Sequence, residues 1–329
     1  MRRLLILLTL LMLATPALAQ ANYSERDDVR NFVNDMVKKH RFDEQMLMYW
    51  MNSVEQQKTA LKAIARPAEG KPWKDYRPIF ITNKRITRGV EFWRKHNDVL
   101  SQAEQRYGVP AEIIVAIIGV ETFYGKRSGS YPVLDALTTL GFDYPPRAAF
   151  FRKELEQFLL MSREERFDPT TLKGSYAGAM GMPQFISSSF RSYAVDFDGD
   201  GRRDLWGSTA DAIGSVANYF SRHGWRNGAP IISRAQVSES ARSLASKRMR
   251  PEKSIAEYKQ VGVVPLTNFN DNESAILLGL EGKNGQEYWL GLNNFYVITR
   301  YNHSPLYAMA VYQLGQALAT NYYGVSRDK

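Results

Sequence analysis

The chain has 329 residues, with 43 Lys and Arg against 34 Asp and Glu, and no cysteine. The absence of thiols excludes disulfides and a cysteine-borne lipid anchor. The formal charge of +9 is scattered along the chain, which reads as a solvated basic surface and not as a nucleic-acid patch.

Residues 1–19 read as an export leader. Arg2 and Arg3 precede an apolar run from Leu4 to Leu13, and Ala17-Leu18-Ala19 forms a small-x-small cleavage site before Gln20. The run is too short for a membrane span. Its removal takes away two arginines and leaves a charge of +7 on about 310 residues, one large or two modest domains. The expectation is a soluble periplasmic protein, exported by a cleaved leader and without a lipid anchor.

Residues 25–66 carry helical spacing, with Val29, Phe32, Val33, Met36 and Val37 as one stripe and Met46, Leu47, Trp50 and Met51 as another. Pro67, Gly70, Pro72 and Pro78 make 67–89 read as a loop-rich connection. Helices are expected at 90–106 and 110–124, an irregular stretch at 128–148, and a helix at 148–161. A Gly- and Ser-rich segment fills 174–193, and Asp196 opens an acidic loop. A further helix is expected at 211–223. Residues 258–295 change character: Ala275–Leu280 and Glu287–Leu292 are β-prone and read as a hairpin. Ser304 then caps a last helix starting at Pro305. The fold class is mainly α, with a small antiparallel β insertion near 258–295.

Glu121 is the first candidate for chemistry. Pro110 and Glu112 start a helix whose apolar residues are Ile113, Ile114, Ile117, Ile118 and Val120, and Gly125 offers its stop. Glu121 shares a face with Ile114 and Ile117. A carboxylate among isoleucines loses solvation, which favours the protonated form that can donate to a leaving oxygen. The plainer alternative is a helix-end Glu turned to solvent.

Residues 196–204 read Asp-Phe-Asp-Gly-Asp-Gly-Arg-Arg-Asp. Asp196, Asp198, Asp200 and Asp204 at positions 1, 3, 5 and 9, with Gly201 at 6 and Arg202 at 7, match the front of an EF-hand loop. Position 12 is Gly207, and Asp211 in the next helix can replace its carboxylate. The expectation is a structural Ca²⁺, set against an acidic turn without metal. Ser175 and Gln184, in the small-residue segment 174–185, can hydrogen-bond a polar substrate, and the segment lacks a nucleophile-elbow pattern. His40, His96, His223 and His303 show no paired ligand spacing.

Glu121 with Thr-Phe-Tyr-Gly, then Gly-Ser-Tyr-Ala-Gly-Ala-Met-Gly-Met-Pro-Gln-Phe, then Tyr-Asn-His-Ser follow the leader in one order. Together they resemble the lytic murein transglycosylase B family, over about Tyr23 to Leu318. The resemblance implies a lysozyme-like helical core with an added helical part near 25–90, peptidoglycan glycan strands as partner, and association with cell-wall enzyme complexes. It implies cleavage of the β-1,4 bond between N-acetylmuramic acid and N-acetylglucosamine, with 1,6-anhydromuramoyl products and no catalytic cofactor. Glu121 then resembles the single acid and base, Ser175 the serine that hydrogen-bonds this glutamate or the reacting sugar, Gln184 a glycan-contacting glutamine, Tyr76 an active-site tyrosine, and Tyr301 with Asn302 the pair lining the cleft. Asp196, Asp198, Asp200 and Asp211 resemble the calcium loop of family members that bind the ion. Thr122 stands where the family commonly has serine.

Two rivals remain at this level. A hydrolytic muramidase needs two carboxylates flanking the bond, and Asp135 and Asp143 lie downstream of Glu121. A non-catalytic glycan-binding scaffold would not need Glu121 at all.

Overall fold

The computed structural model describes residues 22–65, 70–246 and 248–324, so the leader read at 1–19 lies outside the described residues. The chain divides into two compact units, residues 1–54 and 55–329.

In the first unit, helices α1 (Asp27–His40) and α2 (Glu44–Ser53) pack together. Asp27 and Asp28 open α1 and Lys38, Lys39 and His40 close it, each sign matching the helix dipole. Val29, Val33 and Met36 are buried on one face, as their spacing requires. Asp43 caps α2 by accepting from the Met46 N–H at 2.7 Å.

The second unit opens with α3 (Lys58–Ile64), α4 (Trp73–Phe80), α5 (Asn83–Lys95) and α6 (Asn97–Tyr107). The loop expected at 67–89 is therefore largely helical. Pro72 is the N-cap of α4, a position that needs no helical N–H, and Pro78 forfeits one bond near the end of an eight-residue helix. Helix α7 (Ala111–Thr122) follows. The stretch expected to be irregular at 128–148 holds α8 (Val133–Asp143), buried from Val133 to Phe142. Its prolines, Pro132 and Pro145, bracket the helix and do not interrupt it.

Strand β1 (Tyr131–Pro132) pairs antiparallel with β2 (Lys173–Gly174). Helices α9 (Ala148–Glu164), α10 (Ser187–Tyr193) and α11 (Thr209–Arg222) come next. A five-stranded antiparallel sheet follows, built from β3 (Ile232–Val237), β4 (Lys253–Ser254), β5 (Val263–Pro265), β6 (Ser274–Gly282) and β7 (Gly285–Gly291), in the order β4-β6-β7-β3-β5. The β6–β7 hairpin is the one the sequence predicts, with Gly282 opposite Gly285 and Lys283-Asn284 at its tip. The other three strands are short and carry little alternation, so their pattern gave no signal. Helix α12 (Ile255–Gln260) lies within this region, and Ile255, Tyr258, Val263, Leu277 and Leu290 share its apolar cluster. Helices α13 (Asn293–Tyr301) and α14 (Pro305–Tyr323) end the described chain, with Ser304 capping α14.

Helix α7 is the axis of this unit. Ile113 to Ile118 have no exposed surface, because α5, α6, α11 and α14 all pack against it. A helix apolar on every side belongs at the centre of a core, and its last turn carries Glu121.

Candidate active site

Glu121 is partly buried, one residue before the end of α7. Burial lifts its carboxyl pKa to about 7, opposed by a hydrogen bond from the Tyr307 phenol. That phenol donates to Oε1 at 2.5 Å. The helix C-terminus adds a negative dipole end, which also favours the neutral acid. Burial and the neighbouring Glu121 push the Tyr307 phenol far above its ordinary value, so it stays a donor. Among the described residues no second carboxylate acts on Glu121. Asp135 and Asp143 instead accept from the side-chain amides of Gln57 and Gln56, at 3.1 and 2.7 Å.

The chain leaves α7 through two consecutive non-glycine residues in left-handed backbone, Phe123 (φ 52°) and Tyr124 (φ 63°), before Gly125. Such geometry costs on the order of 1 kcal/mol or more per residue and persists where surroundings over-determine it. The surroundings are visible. Phe123 N–H bonds the Gly119 carbonyl and Tyr124 N–H the Ile118 carbonyl, both at 3.2 Å. Arg85, only 9% exposed, donates Nε to the Gly119 carbonyl at 3.1 Å and Nη1 to the Ile79 and Phe80 carbonyls at 2.6 and 3.0 Å. One guanidinium thus closes the C-terminal ends of both α7 and α4. The Tyr124 hydroxyl returns a bond to the Arg85 carbonyl at 2.9 Å. Its ring crosses Gly119 so closely that a Cβ there would stand 2.7 Å from the phenol.

Thr122 fastens the helix end to the small-residue loop. Its hydroxyl donates to the Met182 carbonyl at 2.9 Å and accepts from the Gly125 N–H at 3.0 Å. The next carbonyl, of Pro183, accepts from the Tyr301 hydroxyl at 2.5 Å. Gln184, in left-handed backbone (φ 54°), donates its amide nitrogen to the Ser128 and Gly181 carbonyls, both at 3.0 Å. Ser175 Oγ accepts from the Ala177 and Ala179 N–H groups, at 3.3 and 3.0 Å. It does not hydrogen-bond Glu121, so its hydroxyl serves the loop in this structure.

Tyr301 stacks on Tyr307 with ring centroids 6.4 Å apart and planes 9° from parallel. Tyr76 on α4 packs between Trp73 and Phe80 and adds to the electrostatic field at the Tyr307 phenol. Tyr76, Tyr301, Tyr307 and Glu121 therefore meet, although they come from three distant segments. Asn302 is exposed just past the end of α13. A cleft of about 470 Å³ continues past Gln184 and Tyr301 and is lined by Tyr193, Tyr219, His223, Arg300 and His303 among others. Burial lowers both imidazole pKa values, which leaves neutral rings beside Arg300.

A family model described as the transglycosylase SLT domain matches residues 24–316. The chain belongs to this family. It is 44% identical over 308 residues to the membrane-bound lytic murein transglycosylase B of Escherichia coli K12, covering 91% of this chain and 84% of that one. The soluble lytic transglycosylase SltB1 of Pseudomonas aeruginosa is 54% identical and superposes with a TM-score of 0.87, over 91% of this chain and all of that one. The E. coli lytic transglycosylase Slt35, in a structure with calcium, is 45% identical with a TM-score of 0.86, over 92% of this chain and 96% of that one. No helix among the described residues is long and apolar enough to cross a membrane.

In this transglycosylase-domain chain three of the acids named for the acidic loop converge. Oxygen atoms of Asp196, Asp198 and Asp211 lie within 4.8 Å of one another. Asp211 is the carboxylate offered in place of position 12, and burial raises its pKa, with Asp198 adding to the rise. Asp200 and Asp204 are outside the group. Asp204 accepts from the Trp206 and Gly207 N–H groups and Asp200 from that of Arg202, as Asp196 and Asp211 also accept from backbone N–H groups of the loop. The Arg202 guanidinium lies over the Phe167 ring, 4.8 Å from its centroid. Gly201 (φ 89°) makes the sharp turn. Three hard oxygen donors around one point suit Ca²⁺.

Sequence reasoning did not single out Arg85, Tyr219 or Tyr307. Arg85 sits in the stretch read as loop. Tyr307 lies in a helix whose apolar pattern hides one functional phenol among packing residues.

Proposed function

We propose that this chain is a lytic transglycosylase of peptidoglycan. It cleaves the β-1,4 bond between N-acetylmuramic acid and N-acetylglucosamine and leaves 1,6-anhydromuramoyl ends. The observation that carries this is a single carboxyl, Glu121, with its pKa raised to about 7 and no carboxylate partner acting on it among the described residues. A group poised near neutral pH can serve as acid and then as base.

In the first half, protonated Glu121 gives its proton to the glycosidic oxygen as the C1–O bond breaks. In the second, its carboxylate takes the proton of the C6 hydroxyl while O6 bonds to C1. Glu121 ends protonated, and no water enters. Tyr307 steadies the carboxylate stage by donating to Oε1. Gln184, Tyr301, Asn302 and Tyr76 act as glycan contacts, and Ser175 holds the loop that presents them. A two-carboxylate hydrolysis is disfavoured because Asp135 and Asp143 are committed to Gln57 and Gln56.

The leader read at 1–19 supports a periplasmic enzyme, with residues 20–329 as its catalytic region and glycan strands as its partner. The same reading includes association with other wall enzymes. A Ca²⁺ on Asp196, Asp198 and Asp211 would brace the segment between α10 and α11 without entering the reaction. Mass spectrometry of muropeptides released from purified sacculi tests the reading. Anhydro ends are expected, and reducing ends would replace it with hydrolysis. Intact sacculi after incubation would leave only a binding scaffold.

A further inference from the structure

A second cleft, of about 770 Å³, lies on α4, α14 and the β3 and β7 side of the sheet. Glu121, Tyr307, Tyr301 and Gln184 do not line it. Four cations do, Lys74, Arg77, Arg234 and Lys283, against one lining carboxylate, Glu287. That carboxylate is already engaged by Arg234 at 3.0 Å and by the Trp289 indole N–H at 3.2 Å. Lys74 pairs with Glu281. Arg77 uses only its Nε, donated to Gln313 Oε1 at 2.6 Å, which holds the guanidinium in place and leaves its terminal nitrogens open. Neither Arg77 nor Lys283 forms an ion pair among the described residues.

We propose that this cleft binds a short peptide ending in a carboxylate, and specifically the peptide stems of the wall polymer. The identity of the polymer rests on the function proposed above. An immobilised guanidinium with a free fork suits a carboxylate, which it can hold through two parallel bonds. Gln313, Gln316 and Asn321 line the same cleft and offer amides that match a peptide backbone. Trp289, Pro78 and Ala317 give flat apolar walls suited to alanine methyls. A neutral sugar would leave two cations without use. Helix α14 carries Tyr307 into the first site and Gln313 and Gln316 into the second, about 9–14 Å further along its axis. A glycan strand held at Glu121 can therefore bring stem peptides to the second cleft. Binding there raises the effective concentration of the polymer at Glu121 without touching the chemistry.

The test uses Arg77→Ala with Lys283→Ala in the full chain, two exposed changes expected to leave the melting curve unchanged. Turnover of a peptide-free glycan oligomer should match the parent. On intact sacculi the apparent KM should rise about three- to tenfold, the range for losing two solvent-facing ion pairs. Parent enzyme on sacculi with amidated stem carboxylates should show the same rise. Equal KM values for parent and variant on intact sacculi overturn the proposal. Calorimetry with a synthetic stem tetrapeptide reads the cleft without catalysis. Binding by the parent and its loss in the variant support it, and no binding by the parent overturns it. If the parent cleaves neither substrate, the function proposed above fails, and the tetrapeptide titration still decides the cleft.

Discussion

The Tyr307 phenol and the Glu121 carboxyl, 186 residues apart in sequence, are joined by a 2.5 Å hydrogen bond between the first turn of α14 and the last turn of α7. The bond favours the charged carboxylate, whereas burial favours the acid, and burial is the larger effect. Tyr307→Phe removes the opposing influence and keeps the ring. Glu121 should then hold its proton to higher pH. A hydrogen bond to a charged group is worth about 1.5–3 kcal/mol, so the alkaline limb of the rate profile should move up by about one unit or more. An unmoved limb with normal folding would detach Tyr307 from the titration of Glu121.

Glu121→Gln should abolish cleavage, because the amide can neither give nor take the proton. Loss of general acid–base transfer alone costs roughly 10²–10⁴-fold. The same change should raise stability above neutral pH. The folded state binds the Glu121 proton up to about pH 7, whereas the unfolded chain releases it near 4.5. Stability therefore falls as pH rises through that window and stays reduced above it. Glutamine escapes the penalty, by about 1–3 kcal/mol once partial exposure is allowed for. Melting curves at pH 8 and pH 4 check this. The gain should appear at pH 8 and vanish at pH 4.

The helices with uninterrupted apolar spacing, α1, α7, α11 and α14, could be read directly, as could the β6–β7 hairpin. Helices α4 and α8 could not, because their prolines sit at caps and ends where a proline costs little. Glu121 was legible because a carboxylate on an isoleucine face conflicts with its surroundings. Arg85 was not, since its partners are three backbone carbonyls that no side-chain pattern records. The acidic loop was half legible. The sequence names Asp196, Asp198, Asp200, Asp204 and Asp211 together, but that Asp196, Asp198 and Asp211 are the ones whose oxygens converge depends on where α11 begins.

Arg85→Met should cost both stability and turnover. It keeps an unbranched chain beside the Phe80 and Phe123 rings, strands the Ile79 carbonyl and leaves the Gly119 and Phe80 carbonyls with one donor each, the Phe123 and Thr82 N–H groups. An acceptor left without a partner costs about 1–3 kcal/mol, so a loss of about that size is expected. Arg85→Lys, with one ammonium for three carbonyls, should fall between. If Arg85 only packs the core, kcat per folded molecule will match the parent. If it positions Glu121, kcat should drop while KM stays close, since glycan contacts are elsewhere.

Ser175→Ala removes the acceptor of the Ala177 and Ala179 N–H groups. The loop that carries Gln184 should loosen, at about 1–2 kcal/mol in stability. Turnover should fall by roughly ten- to a hundredfold. An unchanged alkaline limb is expected as well, because Ser175 does not touch Glu121. A shifted limb would mean that the serine hydroxyl reaches the carboxyl during the reaction.

Asp198 separates metal binding from packing. Asp196 and Asp211 each accept backbone N–H bonds from the loop, so removing either would damage the fold with or without an ion. Asp198 is exposed, and its closest bond is from the Ser208 hydroxyl at 2.6 Å. Asp198→Asn keeps an acceptor for that hydroxyl and removes one charge from the group. In chelator, its melting temperature should stay within about one or two degrees of the parent, as for most surface changes. In millimolar calcium the parent should melt higher, because an ion that binds only the folded state stabilises it by mass action. The variant should lose most of that rise. Turnover at low temperature should be the same in calcium and chelator, since the ion takes no part in the reaction proposed. Identical parent melting curves with and without calcium would take the ion out of this fold.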